Sequence, residues 1–331
     1  MEFDALSDVF RAVRFKGAVF FDVEATSPWA AESPAGHILG RAIMPGVDRV
    51  IDYHVVTRGE CWVATADRLE APLHMREGDV IAFPHGDPHV LASSPDLRGI
   101  PATPRPPAAA LRNQLPVRVT IGDDGAQMRT HLLCGFIACD AQPFNPLLSA
   151  LPPMIHMSAS AGGGWAERFA AFASHETAQR RAGGASMLAK LGEIMFIDVV
   201  RHHLERLPDG DHNWLTGLRD RQIGRAFALL HESPADDWSL AELARRAGMS
   251  RSVLAERFAR YVGMPPMQYL KSWRMQLASA MLAETAAPVG QIAGRIGYQS
   301  EEAFSRAFKR IVGKSPSHWR ESRKRAESAA H

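Results

Sequence analysis

Cysteine is scarce in this chain, and long apolar runs are absent. The 331 residues contain three cysteines, Cys61, Cys134 and Cys139, without CxxC spacing, which excludes a disulfide framework and a zinc knuckle. No stretch approaches the roughly 20 apolar residues that a membrane helix needs, and the acidic start MEFDALSDVF lacks the features of a secretory signal. We therefore expect a cytoplasmic protein with reduced thiols and no membrane partner.

Charge is distributed unevenly along the chain. The net charge is +2, yet residues 222–331 hold 17 Lys and Arg against 10 Asp and Glu, whereas residues 1–221 hold 21 against 26. A basic C-terminal block favours a polyanionic partner for that part of the chain.

Two segments about fifty residues apart repeat one pattern. GMSRSVLAERFARYVGMPP and GYQSEEAFSRAFKRIVGKSP each begin at a glycine that suits a left-handed helix end, Gly248 or Gly297, followed by a serine that suits a helix start, Ser250 or Ser300. With the amphipathic helices on either side, each copy predicts a helix-turn-helix. The helical stretch between the copies spans roughly 30 Å, so the two recognition helices can enter successive major-groove turns about 34 Å apart.

The block from about 222 to 320 resembles the DNA-binding region of AraC/XylS-type transcription regulators. The segments SLAELARRAGMSRSVLAERF, YLKSWRMQLA and QIAGRIGYQSEEAFSRAFKRIVGKSPSHWR carry the resemblance. It implies that this block binds double-stranded promoter DNA, that RNA polymerase is a partner, and that the protein is an activator without a cofactor or catalytic residues.

Helical phase selects the candidate DNA contacts. Val253, Leu254 and Phe258 are predicted to face inward in the first recognition helix, as are Ala303, Phe304 and Phe308 in the second. Arg306 can bind guanine, and Glu256 or Glu302 can accept from cytosine; Arg260, Lys309 and Arg310 suit phosphates, and the alternative for each is a solvated surface charge. The full candidate set is Arg251, Ser252, Ala255, Glu256, Arg260, Glu301, Glu302, Ser305, Arg306, Lys309 and Arg310.

The N-terminal half predicts a β-barrel. Short runs rich in Val, Ile and Phe alternate with Gly, Pro and Asp turns. GDVIAFPHGDPHVL matches the second cupin motif, and DYHVVTRGECWV resembles the end of the first. Strand alternation puts Asp52, His54 and Val56 on one face, so with His89 they are the candidate effector pocket inside the barrel.

Two further interpretations stay open for this half. Asp52, His54 and His89 are enough ligands for a metal in principle, which would make the chain a metal-dependent cupin enzyme with a helical accessory domain. The HxH pair of the first cupin motif is missing, however, and this favours a degenerate cupin. The half also resembles the sensor domains of an AraC-type subgroup that includes oxidant-responsive regulators, so Cys61 is a candidate redox residue.

The predicted fold is α+β, with an N-terminal cupin-like β-barrel, a helical connector and a C-terminal all-α duplicated helix-turn-helix. The predicted divisions are residues 1–142, 143–220, 221–321 and a basic, disordered tail at 322–331. SMLAKLGEIMFIDVVRHHLERL in the connector has an apolar surface wide enough to contact a second chain. A homodimer is thus predicted, with an intrachain helix as the alternative.

Overall fold

The computed structural model describes residues 4–13, 15–38, 49–67, 71–98, 100–101, 117–122, 129–139, 142–160, 165–179 and 182–328. These residues form two compact units. The helical unit takes the described parts of residues 1–14, 140–150 and 207–331, and the sheet unit takes those of residues 15–139 and 151–206. The two units interleave along the chain, whereas the predicted division places residues 1–142 together.

The helices and strands follow one another in the order that the repeat and the apolar runs indicate. The helices are α1 (Ala5–Ala12), α2 (Pro146–Ala150), α3 (Trp165–Gln179), α4 (Gly184–Arg206), α5 (Trp214–Arg219), α6 (Arg221–Glu232), α7 (Leu240–Ala247), α8 (Arg251–Val262), α9 (Pro266–Glu284), α10 (Val289–Arg295), α11 (Glu301–Val312) and α12 (Pro316–Ser328). The strands are β1 (Phe15–Thr26), β2 (Ala30–Ser33), β3 (Arg49–Arg58), β4 (Glu60–Thr65), β5 (Leu73–Arg76), β6 (Val80–Phe83), β7 (His89–Ala92), β8 (Ile100–Pro101), β9 (Val117–Ile121), β10 (Arg129–Cys139) and β11 (Ile155–Met157). Among the described helices, none is long and apolar enough to cross a membrane.

The described strands form two sheets that share one core. The first sheet has the order β11-β6-β3-β10-β1-β9 and the second the order β5-β4-β7-β2-β8. Neighbours are antiparallel, except that β9 runs parallel to β1 and β8 runs parallel to β2. Both sheets supply the buried core, including Val56 and Leu132 from the first and Val63 and Leu91 from the second. This arrangement confirms the predicted cupin-like fold.

Strand β3 is buried on both faces. Asp52, His54 and Val56 alternate with Tyr53 along it, and all are inaccessible to solvent or nearly so. On the outer face the Tyr53 ring meets the Phe169 ring of α3 edge to face, with the centroids 6.3 Å apart. The interior face therefore carries the candidate polar residues, as strand alternation predicts.

The helical unit has two small cores that meet along α9. Tyr269 and Trp273 near the start of α9 pack in the first core, where Tyr269 contacts the rings of Phe227 and Phe258. Further along the same helix, Met275, Ala278 and Leu282 pack with the apolar residues of α10, α11 and α12. Helix α9 therefore packs in both cores, with a different face at each end, and connects the two helix-turn-helix motifs.

The prediction of a disordered tail is wrong for residues 322–328, which continue α12. The guanidinium of Arg323 lies 4.5 Å from the centre of the Trp319 ring. Ser322 donates to the backbone carbonyl of Trp319 at 2.8 Å, and Arg325 pairs with Glu321 one turn earlier. These contacts stabilise the helical conformation of this basic segment, and its composition alone does not predict them.

Candidate nucleic-acid interface and barrel interior

The first motif consists of α7, a tight turn and α8. Helix α7 ends at Gly248, whose φ of 73° is the left-handed conformation that glycine adopts without a steric penalty. The side chain of Ser250 accepts a hydrogen bond from the backbone N–H of Val253 and thereby starts α8. The predicted helix end and helix start are both present, and they fix the angle between the two helices.

Helix α8 presents most of its candidate residues to solvent. Arg251, Ser252, Glu256 and Arg260 are exposed and Ala255 is half-buried. An ion pair of 2.6 Å joins Arg260 to Glu256 one turn away. Leu254 and Phe258 are fully buried, so the predicted inner face is correct at these two positions.

The prediction that Val253 faces inward is wrong, because 41% of its surface is exposed. Val253 lies in the first turn of α8, where no further turn of helix covers it. Arg251 and Ser252, which precede it, are exposed as well. Apolar contacts with thymine methyl groups are one way in which proteins read the major groove, so Val253 joins the candidate interface.

A polar network holds α8 against α6. Arg257 donates to the side-chain oxygen of Gln222 at 2.6 Å and pairs with Asp220, which caps the start of α6. Gln222 in turn donates to the backbone carbonyl of Gly248 at 2.7 Å. The start of α6, the turn and α8 are therefore tied together by charge-assisted hydrogen bonds, which orient the recognition helix.

The second motif repeats this arrangement with α10, a turn and α11. Gly297 has a φ of 84°, and the side chain of Ser300 accepts from the backbone N–H of Ala303 at 3.2 Å. Phe304 and Phe308 are fully buried, while Ala303, predicted to face inward, is half-buried. Of the candidate contacts of α11, Ser305 is half-buried and the rest are exposed: Glu301, Glu302, Arg306, Lys309 and Arg310.

Two acidic residues begin α11. A hydrogen bond from its own backbone N–H, and then one from the Ser300 side chain, hold the pKa of Glu302 below its ordinary value. Glu302 therefore carries a full negative charge at neutral pH and can accept hydrogen bonds only. The Glu301 side chain lies over Gly290 of α10, where an added Cβ would stand 2.8 Å from the Glu301 carboxylate.

The interior of the sheet unit holds a pair of histidines. His54 on β3 and His89 on β7 come from different sheets, and their Nε2 atoms lie 2.7 Å apart. Burial lowers the pKa of both rings, that of His89 to about 4, so both are neutral at pH 7. His89 Nδ1 lies 2.8 Å from the carbonyl of Asp87, which makes Nδ1 the protonated nitrogen of His89 and Nε2 its acceptor. His54 must then donate from Nε2, and its Nδ1 is an acceptor.

Within the cluster of Asp52, His54 and His89, two polar atoms have no hydrogen-bond partner among the described residues: His54 Nδ1 and Asp52 Oδ1. The other carboxyl oxygen of Asp52 accepts from Ser33 at 3.4 Å. Burial raises the pKa of Asp52 well above its ordinary value, so the whole cluster favours an uncharged state.

Asp52, His54 and His89 do not come together as a set of three metal ligands in this structure. Within the described part of the chain, no group of three or more His, Cys, Asp or Glu side chains is placed to hold a metal ion. The metal interpretation of Asp52, His54 and His89 is therefore not supported, because only the two imidazoles meet.

All three cysteines are buried. Desolvation raises the pKa of the Cys61 thiol to about 12, and it also raises that of Cys134. A reactive cysteine needs a stabilised thiolate, and the surroundings of Cys61 favour the thiol instead.

A pocket of about 400 Å³ opens at one end of β3. It is lined by Val56, Thr57, Arg58, Glu77, Gly78, His131, Ala170 and Ala171. Val56 alone among these belongs to the predicted pocket. The others come from strand ends, a turn and α3, which the sequence does not place together.

Comparison with known proteins gives matches over nearly the whole chain. A cupin family model matches residues 4–205, and a helix-turn-helix domain model matches residues 243–322. A Streptomyces antibioticus protein named as an AraC-like transcription regulator is 32% identical over 96% of this chain and 98% of its own length. The chain belongs to the AraC-type transcription regulators.

A second named regulator is similar to this one over nearly its full length. The HTH-type transcriptional regulator AlkR of Acinetobacter baylyi is 30% identical over 96% of this chain and 99% of its own length. The crystal structure of the DNA-binding domain of AdpA with a target DNA aligns at 30% identity over 34% of this chain and 99% of that chain, with a TM-score of 0.31. The family models give the regulator a cupin domain and a helix-turn-helix region of the type that binds double-stranded DNA, and the relatives do not favour the enzyme interpretation.

Proposed function

We propose that this DNA-binding regulator responds to a small, uncharged effector bound inside its sheet unit, with Asp52, His54, Val56 and His89 lining the site. The observation that carries the proposal is the pair of buried, unpartnered atoms His54 Nδ1 and Asp52 Oδ1. Buried polar atoms are nearly always hydrogen-bonded. A ligand with a hydroxyl or amide group would supply the partners that the described residues do not.

The protonation states define the chemical class of this effector. Both histidines are neutral, and burial opposes ionisation of Asp52. A charged ligand would lose its hydration without meeting an opposite charge in the cluster. A neutral ligand that donates a hydrogen bond to His54 Nδ1 fits best.

Effector binding would act by population shift. A ligand that binds one conformation more tightly raises the population of that conformation, and with it the fraction of protein able to hold promoter DNA and to engage RNA polymerase. Oxidation of Cys61 is a less favourable trigger, because its thiol is buried and its pKa is raised.

The experiment measures the affinity of the protein for a DNA duplex that it has selected from a random library. The measurement is repeated in the presence of a collection of neutral hydroxyl and amide compounds. The wild type is compared with His54→Leu, which removes both ring nitrogens, and with His37→Ala, which removes an exposed histidine of the same unit. We expect one or more compounds to change the affinity of the wild type and of His37→Ala but not that of His54→Leu. An equal response of all three proteins would contradict the proposed site.

We further infer that two copies of the chain associate through α4. Its inner face is buried, but Met187 and Ile194 are exposed by 49% and 50% at a spacing of seven residues, with half-buried Leu191 between them. An apolar stripe of this kind can pair with itself around a two-fold axis. Sedimentation of the wild type and of Ile194→Glu tests this: the wild type should be a dimer and the variant a monomer.

A further inference from the structure

The two helix-turn-helix motifs of this regulator meet at a short loop. The loop consists of residues 233–238, between α6 and α7, and is called the junction loop below. It is held in shape by hydrogen bonds from the backbone N–H and the ring N–H of Trp238, to Asp236 and Ser233 at 2.9 and 2.8 Å. The Trp238 ring also lies 4.8 Å from the guanidinium of Arg246 in α7. The junction loop therefore moves with the first motif.

Arg274 ties this loop to α9. Its Nε donates to the carbonyl of Pro234 at 2.6 Å, and its Nη2 donates to the carbonyl of Asp236 at 2.8 Å. The planar guanidinium thus donates to two carbonyls of one loop. The two hydrogen bonds together fix both the distance and the angle between α9 and the junction loop. Since α9 continues into the core of the second motif, this grip joins the first motif to the second.

The turn of the second motif rests on the same loop. A Cβ added to Gly297 would overlap with the carbonyl oxygen of Ala235 and would stand 2.9 Å from its Cα. The ring of Tyr298, the next residue, packs edge-on against Phe304 of α11. The turn before the second recognition helix therefore contacts the same loop that Arg274 holds from the connecting helix.

We propose that Arg274 is a positioning residue, which fixes the separation and relative orientation of α8 and α11 and thereby sets the spacing that the regulator accepts between its two DNA segments. The proposal rests on the DNA-binding function of the two motifs. Arg274 lies outside both recognition helices, and its two hydrogen bonds are with the protein's own backbone.

Rigid spacing has a direct consequence on DNA. Successive major-groove turns recur every 10–10.5 base pairs, about 34–36 Å along the helix. One inserted base pair both rotates and shifts the second segment relative to the first. A protein whose two recognition helices are fixed can follow this change only by losing contacts or bending the DNA, whereas a protein with a loosened junction can turn one motif to follow it.

The test begins with selection of the preferred duplex by the wild type from a random library. Affinity is then measured for that duplex and for duplexes with one or two base pairs inserted between the two segments. We expect the wild type to lose roughly tenfold or more on a single insertion, comparable to a lost base contact. For Arg274→Ala we expect weaker binding to the preferred duplex. We also expect a several-fold lower spacing ratio, which is the affinity for the preferred duplex divided by the affinity for the duplex with one inserted base pair.

Arg320→Ala is the matched control. Arg320 also donates to two backbone carbonyls, those of Leu282 at the end of α9 and Ala287 just before α10, and neither of these belongs to the first motif or to the junction loop. We expect this variant to weaken binding to all duplexes by a similar factor and to keep the wild-type ratio. A spacing ratio for Arg274→Ala equal to that of the wild type would overturn the proposal.

A second variant guards against loss of folding. Arg274→Lys keeps the charge but replaces the planar fork by one ammonium, which cannot reproduce both hydrogen bonds in the same geometry. We expect an intermediate spacing ratio, with circular dichroism and unfolding like those of the wild type. A wild-type ratio in this folded variant would also overturn the proposal, and absence of any selected duplex for the wild type would instead count against DNA binding itself.

Discussion

The Nε2 atoms of His54 and His89 lie 2.7 Å apart and link the two sheets of the cupin domain across its interior. Both rings are neutral because burial opposes their protonation, and the pKa of His89 falls from 6.5 to about 4. The unfolded chain therefore binds a proton at this position between pH 6.5 and 4 while the folded chain does not. In this window the contribution of His89 lowers the free energy of unfolding as the pH falls.

Replacement of His89 by phenylalanine should remove this contribution. Between pH 6.5 and 4 we expect the wild type to lose about 3 kcal/mol more than His89→Phe, from a shift of about 2.5 units at 1.36 kcal/mol each. Urea unfolding at several pH values measures the difference. The comparison with the variant is needed because Asp52, with a raised pKa, contributes in the opposite direction. Parallel pH curves for the two proteins would contradict the burial of a neutral His89.

Cys61 should be unreactive in the folded protein. Its pKa rises from 9.0 to about 12, which lowers the thiolate fraction at neutral pH on the order of a thousandfold. We expect iodoacetamide to label Cys61 slowly in the native protein and at the rate of a free thiol in urea. Mass spectrometry of the Cys61 peptide measures both rates. Labelling of the native protein at the rate seen in urea would support Cys61 as a redox sensor.

The equivalent glycines of the two turns should respond differently to alanine. Gly248 and Gly297 both have positive φ, and in that conformation alanine costs about 1 kcal/mol. Around Gly248 there is space, since the nearest atom to a new Cβ is 3.9 Å away, whereas at Gly297 the Cβ would overlap with Ala235. We expect Gly248→Ala to lower the free energy of unfolding by about 1 kcal/mol and Gly297→Ala by about 3 kcal/mol or more. Denaturant unfolding checks the ranking, and equal losses would contradict the contact with Ala235.

Arg306 and Arg310, four residues apart on α11, should affect DNA binding in different ways. If Arg306 binds a guanine, Arg306→Ala loses about 1–3 kcal/mol and relaxes sequence preference at one position. If Arg310 binds a phosphate, Arg310→Ala weakens binding to all sequences and lowers the slope of log affinity against log salt by about 1. Selection experiments and salt titrations separate the two outcomes. A change of sequence preference in Arg310→Ala alone would reverse these assignments.

Local signals in the sequence predicted the helix-turn-helix motifs well. Gly248 and Ser250 act on backbone atoms within a few residues, so their roles can be inferred without the tertiary structure, and the same holds for Gly297 and Ser300. Val253 was mispredicted because helical phase identifies the side of a helix but not where the neighbouring helix ends.

Features that depend on distant residues could not be predicted. The contact between His54 and His89 needs the pairing of two sheets, and strand alternation predicted only the face. The grip of Arg274 on the junction loop joins residues 40 and 38 positions apart, and no pattern in either segment signals it. The helix that continues to residue 328 includes the stacking of Arg323 on Trp319, which the composition of the segment does not predict.

Gln276 of α9 is 1% exposed, and its side-chain amide holds two distant parts of the chain. It donates to the carbonyl of Ala12 at the end of α1 and accepts from the backbone N–H of Phe144 before α2. Ala12 is thus synthesised 264 residues before its partner. During translation α1 is made before the sheet unit, and Gln276 is made after it. The helical unit is therefore completed last, although α1, its first helix, is made first. A fragment that begins at residue 221 lacks Ala12 and Phe144. The buried side-chain amide of Gln276 then has neither of these two hydrogen-bond partners.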